Sequence, residues 1–270
     1  MTSELLGLRV LLLGCGRMGG SMLAGWLAQG LDPAAVAVVD PAAEVPPGVR
    51  RITQDEALAL TPRPDICVVA VKPQMINSVL PAYGPLVAQG TVFLSIAAGI
   101  TLAGIERMLN APAAVVRAMP NTPAAIGRGM TVLCANPRVE APARAACETL
   151  LSAVGAVDWV DDEALMDEVT ALSGSGPAYV FLLVEAMAEA GRAAGLPPAL
   201  AEKLARQTVA GSGALLDAQP DEPAALRRAV TSPGGTTAAA LAVLMADDGL
   251  APLMKRALEA AAHRSRELAS

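Results

Sequence analysis

The segment Thr231-Ser232-Pro233-Gly234-Gly235-Thr236-Thr237 gathers residue types that grip a small anion. Gly234 and Gly235 leave backbone amides bare, while Ser232, Thr236 and Thr237 add hydroxyls at the start of a predicted helix. A cap needs one such hydroxyl. Two glycines among four hydroxyl residues exceed that need, so the reading favours a carboxylate site over a merely capped helix. Near the other end, Gly14-Cys15-Gly16-Arg17-Met18-Gly19 follows the apolar run Leu8 to Leu13 and opens a helix. There Gly14 permits a tight turn, Gly16 lets backbone approach a pyrophosphate, and Gly19 lets helix and strand pack closely. The amides at the helix start then face the phosphates, which is the chemistry of a dinucleotide-binding turn.

Further candidates stand at the ends of predicted strands, where open α/β sheets form their ligand crevice. Asp40 ends the second strand. It is either the acceptor for adenosine ribose hydroxyls, which would repel a 2′-phosphate, or the start of an Asp-Pro turn. Val71-Lys72-Pro73 offers a lysine that either lines the crevice or is simply solvated. Ser95-Ile96-Ala97-Ala98-Gly99 is small enough to leave room for a flat ring, or to pack tightly. Arg117-Ala118-Met119-Pro120-Asn121-Thr122-Pro123 reads as structural, with two prolines fixing the loop.

The elements that must position these residues fall into two sets. Short apolar runs at Leu8–Leu13, Val36–Val39, Ile66–Val71, Thr91–Ile96, Ala114–Ala118, Met130–Cys134 and Ala156–Val160 predict strands, interleaved with helical stretches such as Gly19–Ala28. That alternation predicts a mostly parallel sheet covered on both faces. After Val160 only helical patterns remain: Glu163–Leu172, Pro177–Gly191 with Ser175 as its expected cap, Pro198–Leu216, Pro223–Val230, Thr236–Met245 and Leu250–Leu268. The expected boundary therefore lies near residue 160, with an α/β domain over 1–160 and an all-helical one over 161–270. The run Tyr179-Val180-Phe181-Leu182-Leu183-Val184 is apolar around its whole helix. It predicts burial that a helical domain of about 110 residues cannot supply alone, hence a second subunit.

Composition excludes other classes. Hydrophobic residues make up 53% of 270 and charged residues 17%, so a large core is available and disorder is not expected. A formal charge of −6 without a basic run argues against nucleic acid. The uncharged stretch Pro73–Ile105 is broken by Asn77, Pro81, Pro85, Gln89 and Gly90, and the first residues lack a signal-peptide pattern. A soluble, cytoplasmic protein is expected, with no membrane partner. Cys15, Cys67, Cys134 and Cys147 are widely spaced and apolar in setting, and His263 is the single histidine. The chain thus lacks material for a disulfide frame, a metal site or a serine triad.

With these segments assembled, the chain resembles the pyrroline-5-carboxylate reductase family over nearly its whole length. The resemblance rests on the Gly14 turn, Val71-Lys72-Pro73, Ala171-Leu172-Ser173-Gly174-Ser175-Gly176-Pro177-Ala178-Tyr179, and Val230 to Thr237, in order and spacing. It implies a Rossmann-like doubly wound sheet followed by an all-helical C-terminal domain that dimerises by interlocking, with further assembly into a ring of dimers. It also implies an active site between cofactor domain and helical segments, partly from the partner subunit. Cofactor contacts, to NADPH or NADH, carry over to Gly14, Cys15, Gly16, Arg17 and Met18, to Lys72, and to Ala97 and Ala98; Leu13, Asp40, Val71 and Pro73, at the same strand ends, are candidates beside them. Substrate contacts carry over to Ser232, Gly234, Gly235, Thr236 and Thr237, with Thr237 as the catalytic hydroxyl and 1-pyrroline-5-carboxylate as the substrate reduced to L-proline.

Departures from the family pattern stand at Asp40-Pro41, where Ser or Asn and a basic residue are usual, and at Arg228-Ala229, where Asp and an amide are usual. The first shifts the balance from NADPH toward NADH, and the second removes an amide contact on the cofactor side. The acidic position upstream is only loosely matched by Asp221 and Glu222. Two rival readings weigh less. A β-hydroxyacid or 6-phosphogluconate-type dehydrogenase needs a helix-borne lysine, but Lys203 and Lys255, the only lysines after residue 160, lie outside any suitable motif. A non-catalytic NAD(P) sensor has no use for a second anion site.

Overall fold

A computed structural model describes residues 7–269. The chain divides into two compact units. One holds everything up to Gly174 together with the chain's end from Ala262, and the other runs Ser175–Ala261.

The first unit is built on β1 (Val10–Leu13), β2 (Val36–Val39), β3 (Arg50–Arg51), β4 (Ile66–Val69), β5 (Val92–Ser95), β6 (Val115–Pro120), β7 (Gly129–Ala135) and β8 (Gly155–Trp159). They form one sheet in the order β3-β2-β1-β4-β5-β6-β7-β8. Every neighbouring pair is parallel except β6 and β7. Because the chain leaves β1 for β2 on one side and returns to β4 on the other, the strand order reverses between β1 and β4. That switch point opens a crevice beyond the carboxyl ends of both strands.

Helices α1 (Arg17–Ala28), α2 (Gln54–Leu58), α3 (Pro73–Val79), α4 (Pro85–Ala88), α5 (Leu102–Leu109) and α6 (Ala141–Ser152) accompany the sheet. Side chains alternate across a strand, and β1 shows the consequence. Val10 and Leu12 enter one core cluster with Met22, Trp26 and Leu150, while Leu11 and Leu13 enter the other with Ile76, Tyr83 and Ile105. Covering on both faces is why these strands read as unbroken apolar runs. Trp26 also donates its ring N–H to the Leu150 carbonyl at 2.8 Å, tying α1 to α6 inside the core.

Three expectations change. The seven strands become eight, because β3 is a two-residue edge paired Ala37↔Arg50 and Val38↔Arg51, and two exposed arginines carry no apolar signal. The first unit extends past residue 160, where the change of pattern placed a boundary. Met166 in α7 (Met166–Val169) is fully enclosed in the sheet's core, and Glu163 accepts from the Leu102 amide at 2.8 Å and the Arg117 guanidinium at 3.0 Å. Ser175 does not cap the next helix. A π-helical turn over Thr170–Gly174 delivers the chain at φ −84°, ψ −21°, already helical, so no side-chain cap forms.

The second unit contains α8 (Gly176–Ala193), α9 (Pro198–Ala218), α10 (Pro223–Ala229), α11 (Thr236–Leu244) and most of α12 (Leu250–Ala269), and no strand among its described residues. Small residues let α8 and α9 approach closely: Ala188, Ala201 and Ala205 are buried, and a Cβ on Gly191 would sit 3.2 Å from that of Ala201. Large apolar side chains instead stay outside. Phe181 is 61% and Leu182 63% exposed, with Val180, Leu183, Leu204, Leu215, Val243 and Leu253 also uncovered.

Candidate functional site

At the switch point the chain turns at Gly14, whose φ of +86° is strained for any L side chain. A Cβ there would lie 2.9 Å from the Ala70 carbonyl oxygen at the end of β4, and one on Gly19 would lie 2.4 Å from the Gly14 carbonyl. The protein's own packing therefore demands both glycines. Gly16 is different: a Cβ there would meet nothing within 4 Å, so the protein's own packing does not require a glycine at that position. Gly16 is also the N-cap of α1, and no side chain occupies the first amides of that helix. Open amides at the positive end of a twelve-residue helix, beside a glycine facing space, fit the phosphates of a dinucleotide.

The neighbouring candidates divide by what they can offer. Leu13 is wholly enclosed and contributes backbone alone. Cys15 is half-buried, and burial, with the charge of Asp40 adding, pushes its thiol up, which makes it a poor nucleophile. Arg17 is exposed, and Met18 packs partly on the core. Asp40 makes the turn contact of the second reading given above and one contact more. Its Oδ1 accepts from the Ala42 amide at 2.9 Å, as in an Asp-Pro turn, while Oδ2 accepts from the Cys15 amide at 2.8 Å. Burial would raise its pKa, yet the amides of Cys15, Ala42 and Ala43 and the nearby Arg51 charge hold the carboxyl below its ordinary range.

At the end of β4, Lys72 is exposed, and Pro73 occupies the first turn of α3, where its missing N–H costs nothing. Beyond β5, Ala97 is buried with its amide donating to Ser95 Oγ at 3.3 Å, whereas Ala98 is exposed. Only Ala98 thus presents a side chain outward. The structure brings the residues around Gly14, Asp40, Val71 and Ala98 to the same carboxyl edge of the sheet, at the ends of β1, β2, β4 and β5.

In the second unit, Ser232 to Thr237 forms the N-terminus of α11. Gly235 is the N-cap, no side chain caps its amides, and Gly234 takes φ +70°. A Cβ on Gly235 would press 2.5 Å from Ser232 Oγ, so only glycine brings that hydroxyl over the turn. Ser232 and Thr236 are exposed and Thr237 is partly covered. The uncapped amides and three hydroxyls together offer a small anion more donors than a helix cap uses.

Sequence reasoning missed one support. Glu163 holds the start of α5, directly after the Ala97–Gly99 loop, and pairs with the buried Arg117; its only sequence signal was an acidic residue at a predicted helix start. Asn121, read as structural, is so: it receives the Met130 amide on its Oδ1 and donates from Nδ2 to the Ser173 carbonyl at 3.2 Å, tying down the glycine-serine segment before α8.

A doubly wound sheet with a glycine turn at its switch point, followed by a helical unit, defines a Rossmann-type dinucleotide-binding protein. Residues 9–99 match the family described as NADP oxidoreductase, coenzyme F420-dependent, and residues 163–268 match pyrroline-5-carboxylate reductase dimerisation. The chain is 42% identical over 266 residues to a pyrroline-5-carboxylate reductase of Pseudomonas aeruginosa, covering 97% of each. Among solved structures it is similar to the reductase of Coxiella burnetii, at 35% identity and TM-score 0.89, covering 97% of this chain and 98% of that one. It is also similar to the Plasmodium falciparum enzyme with NADP bound, at 28% identity and TM-score 0.82, covering 98% and 99%. The chain belongs to the pyrroline-5-carboxylate reductase family.

Proposed function

We propose that this protein reduces 1-pyrroline-5-carboxylate to L-proline with NADPH or NADH, the last step of proline biosynthesis. The observation that carries this reading is family membership along nearly the full length of both chains, with the glycine turn inside the matched stretch 9–99 and the 232–237 segment inside 163–268. A bound nicotinamide supplies a hydride to the imine carbon, and a proton on the imine nitrogen completes the product amine.

The residues' tasks follow from their chemistry. The open amides at the start of α1, from Gly16 to Met18, hold the pyrophosphate while Gly14 and Cys15 shape the turn, and Lys72 and Ala98 line the crevice further along the sheet edge. In the second unit the amides of Gly234 and Thr236, with the Ser232 hydroxyl, grip the substrate carboxylate. The Thr237 hydroxyl hydrogen-bonds the ring nitrogen and holds its proton in place. A cyclic imine is protonated near neutral pH, so holding the ring in a reactive pose accounts for most of the required assistance and no strong base is needed. Thr237→Ala should lower kcat by about a hundredfold while Thr237→Ser retains most of it. Near-normal turnover in the alanine variant would remove Thr237 from this role.

The active form is a homodimer, further assembled into a ring, in the cytoplasm. The stretch Glu163–Ala193 is long and apolar enough to cross a membrane by length and composition. A second copy is the better cover, because the uncovered apolar side chains spread over α8, α9, α11 and α12 rather than one helix, and residues 163–268 match a dimerisation family.

A further inference from the structure

Resting on the reading of Gly14 to Met18 as a dinucleotide turn, we infer that Asp40 is a fixed anionic selector that makes this protein prefer NADH over NADPH. The side chain stands at the end of β2, next to β1 in the sheet, where the register Leu13↔Val39 sets the glycine turn beside it. In that position a carboxylate meets the adenosine ribose of a bound dinucleotide.

What the structure adds is immobility. The Gly14 amide donates to the Val39 carbonyl at 3.0 Å, and the next amide, Cys15, donates to Asp40 Oδ2 at 2.8 Å. The Ala42 amide holds Oδ1 at 2.9 Å. A carboxylate with each oxygen held by a backbone donor, one of them from the phosphate-binding turn itself, cannot swing aside for an incoming 2′-phosphate. Two ribose hydroxyls, in contrast, are donors that its remaining lone pairs can accept. Like charges placed together disfavour the wrong ligand, while the hydroxyls of NADH gain a charged acceptor.

The counter-candidate is Arg51. Its guanidinium donates to the Ala43 carbonyl at 3.1 Å and lies close enough to Asp40 to favour its charge. Arginine is the residue type that receives a 2′-phosphate in related folds. Here one of its N–H groups ties it to the turn that carries Asp40, and its charge lies beside that carboxylate.

The test is equilibrium binding of NADH and NADPH to the intact protein without imine substrate, followed by the quenching of protein fluorescence. NADH should bind at least roughly tenfold more tightly than NADPH in the wild type. Asp40→Asn and Asp40→Ser should each bring the ratio to about one or below, chiefly by tightening NADPH, with retained NADH binding showing that the variants fold. Equal affinities in the wild type, or tighter NADPH, overturn the inference; selective loss of NADPH in Arg51→Ala would then make Arg51 the phosphate's partner. An NADH preference unchanged in both Asp40 variants also overturns it, since another group would be selecting. If folded protein binds neither cofactor, the dinucleotide reading itself fails and takes this inference with it.

Discussion

At the scale of single residues, the glycines of the first motif do two different things. Gly14 and Gly19 are required by the protein's own backbone, whereas nothing in the protein requires Gly16. Gly14→Ala should therefore damage both fold and cofactor binding, because its Cβ would enter the Ala70 carbonyl and its φ is positive. Gly16→Ala should leave the thermal midpoint nearly unchanged and weaken cofactor binding by tenfold or so, measured by titration, since nothing in the protein lies within 4 Å of the added carbon. A Gly16→Ala protein that binds as well as wild type would mean the phosphates do not approach there. These positions were legible in the sequence because a glycine pattern between a strand and a helix has few physical explanations. Asp40 was legible only as a choice between two roles. Which amides it would accept depends on register between β1 and β2, and no residue type encodes that.

At the scale of elements, the strands buried on both faces were visible as apolar runs, and the edge was not. β3 consists of two exposed arginines and is a strand only because β2 offers a free edge. The helical turns over 163–174 were visible as helix, but not their allegiance to the sheet, which Met166 and Glu163 establish by packing and pairing.

A polar staple at the opposite end of the sheet was also invisible. Arg9, just before β1, donates its amide and Nε to Asp65 Oδ2 at 3.0 and 2.9 Å, just before β4. Burial would raise the Asp65 pKa, but the Arg9 bonds, with the charges of Arg9 and Arg63, hold it below the ordinary carboxylate value. A group depressed in this way stabilises the fold above its unfolded pKa, near 3.9, and loses that contribution as pH falls through the folded value. Asp65→Asn should thus lower the urea midpoint at pH 7, with the gap to wild type closing as pH drops below about 4. A gap of constant size across that range would show that the charge of Asp65 contributes nothing.

At the scale of the whole molecule, the sequence pointed to a second copy through one helix that is apolar on all sides. The structure extends the argument to a set of uncovered leucines on four helices. Apolar surface of this extent on a chain matched to a dimerisation family predicts a dimer in light scattering. Phe181→Asp with Leu182→Asp should shift the protein toward monomers and depress turnover, and a double variant that keeps wild-type mass would place the interface elsewhere. The mostly parallel class of the sheet and the chain's membership in its family were accessible from patterns and motifs, while the strand order and the antiparallel pair β6–β7 were not. The division of the chain at Gly174 and the return of its last residues to the first unit were not, since both depend on contacts such as Ser265 with Asp167, 98 residues apart.

The decisive measurement is the initial rate of cofactor oxidation at 340 nm with 1-pyrroline-5-carboxylate, run in parallel with NADH and NADPH. Turnover should depend on the imine and be faster with NADH at limiting cofactor. No imine-dependent oxidation of either cofactor, by folded protein that binds at least one of them, would contradict it.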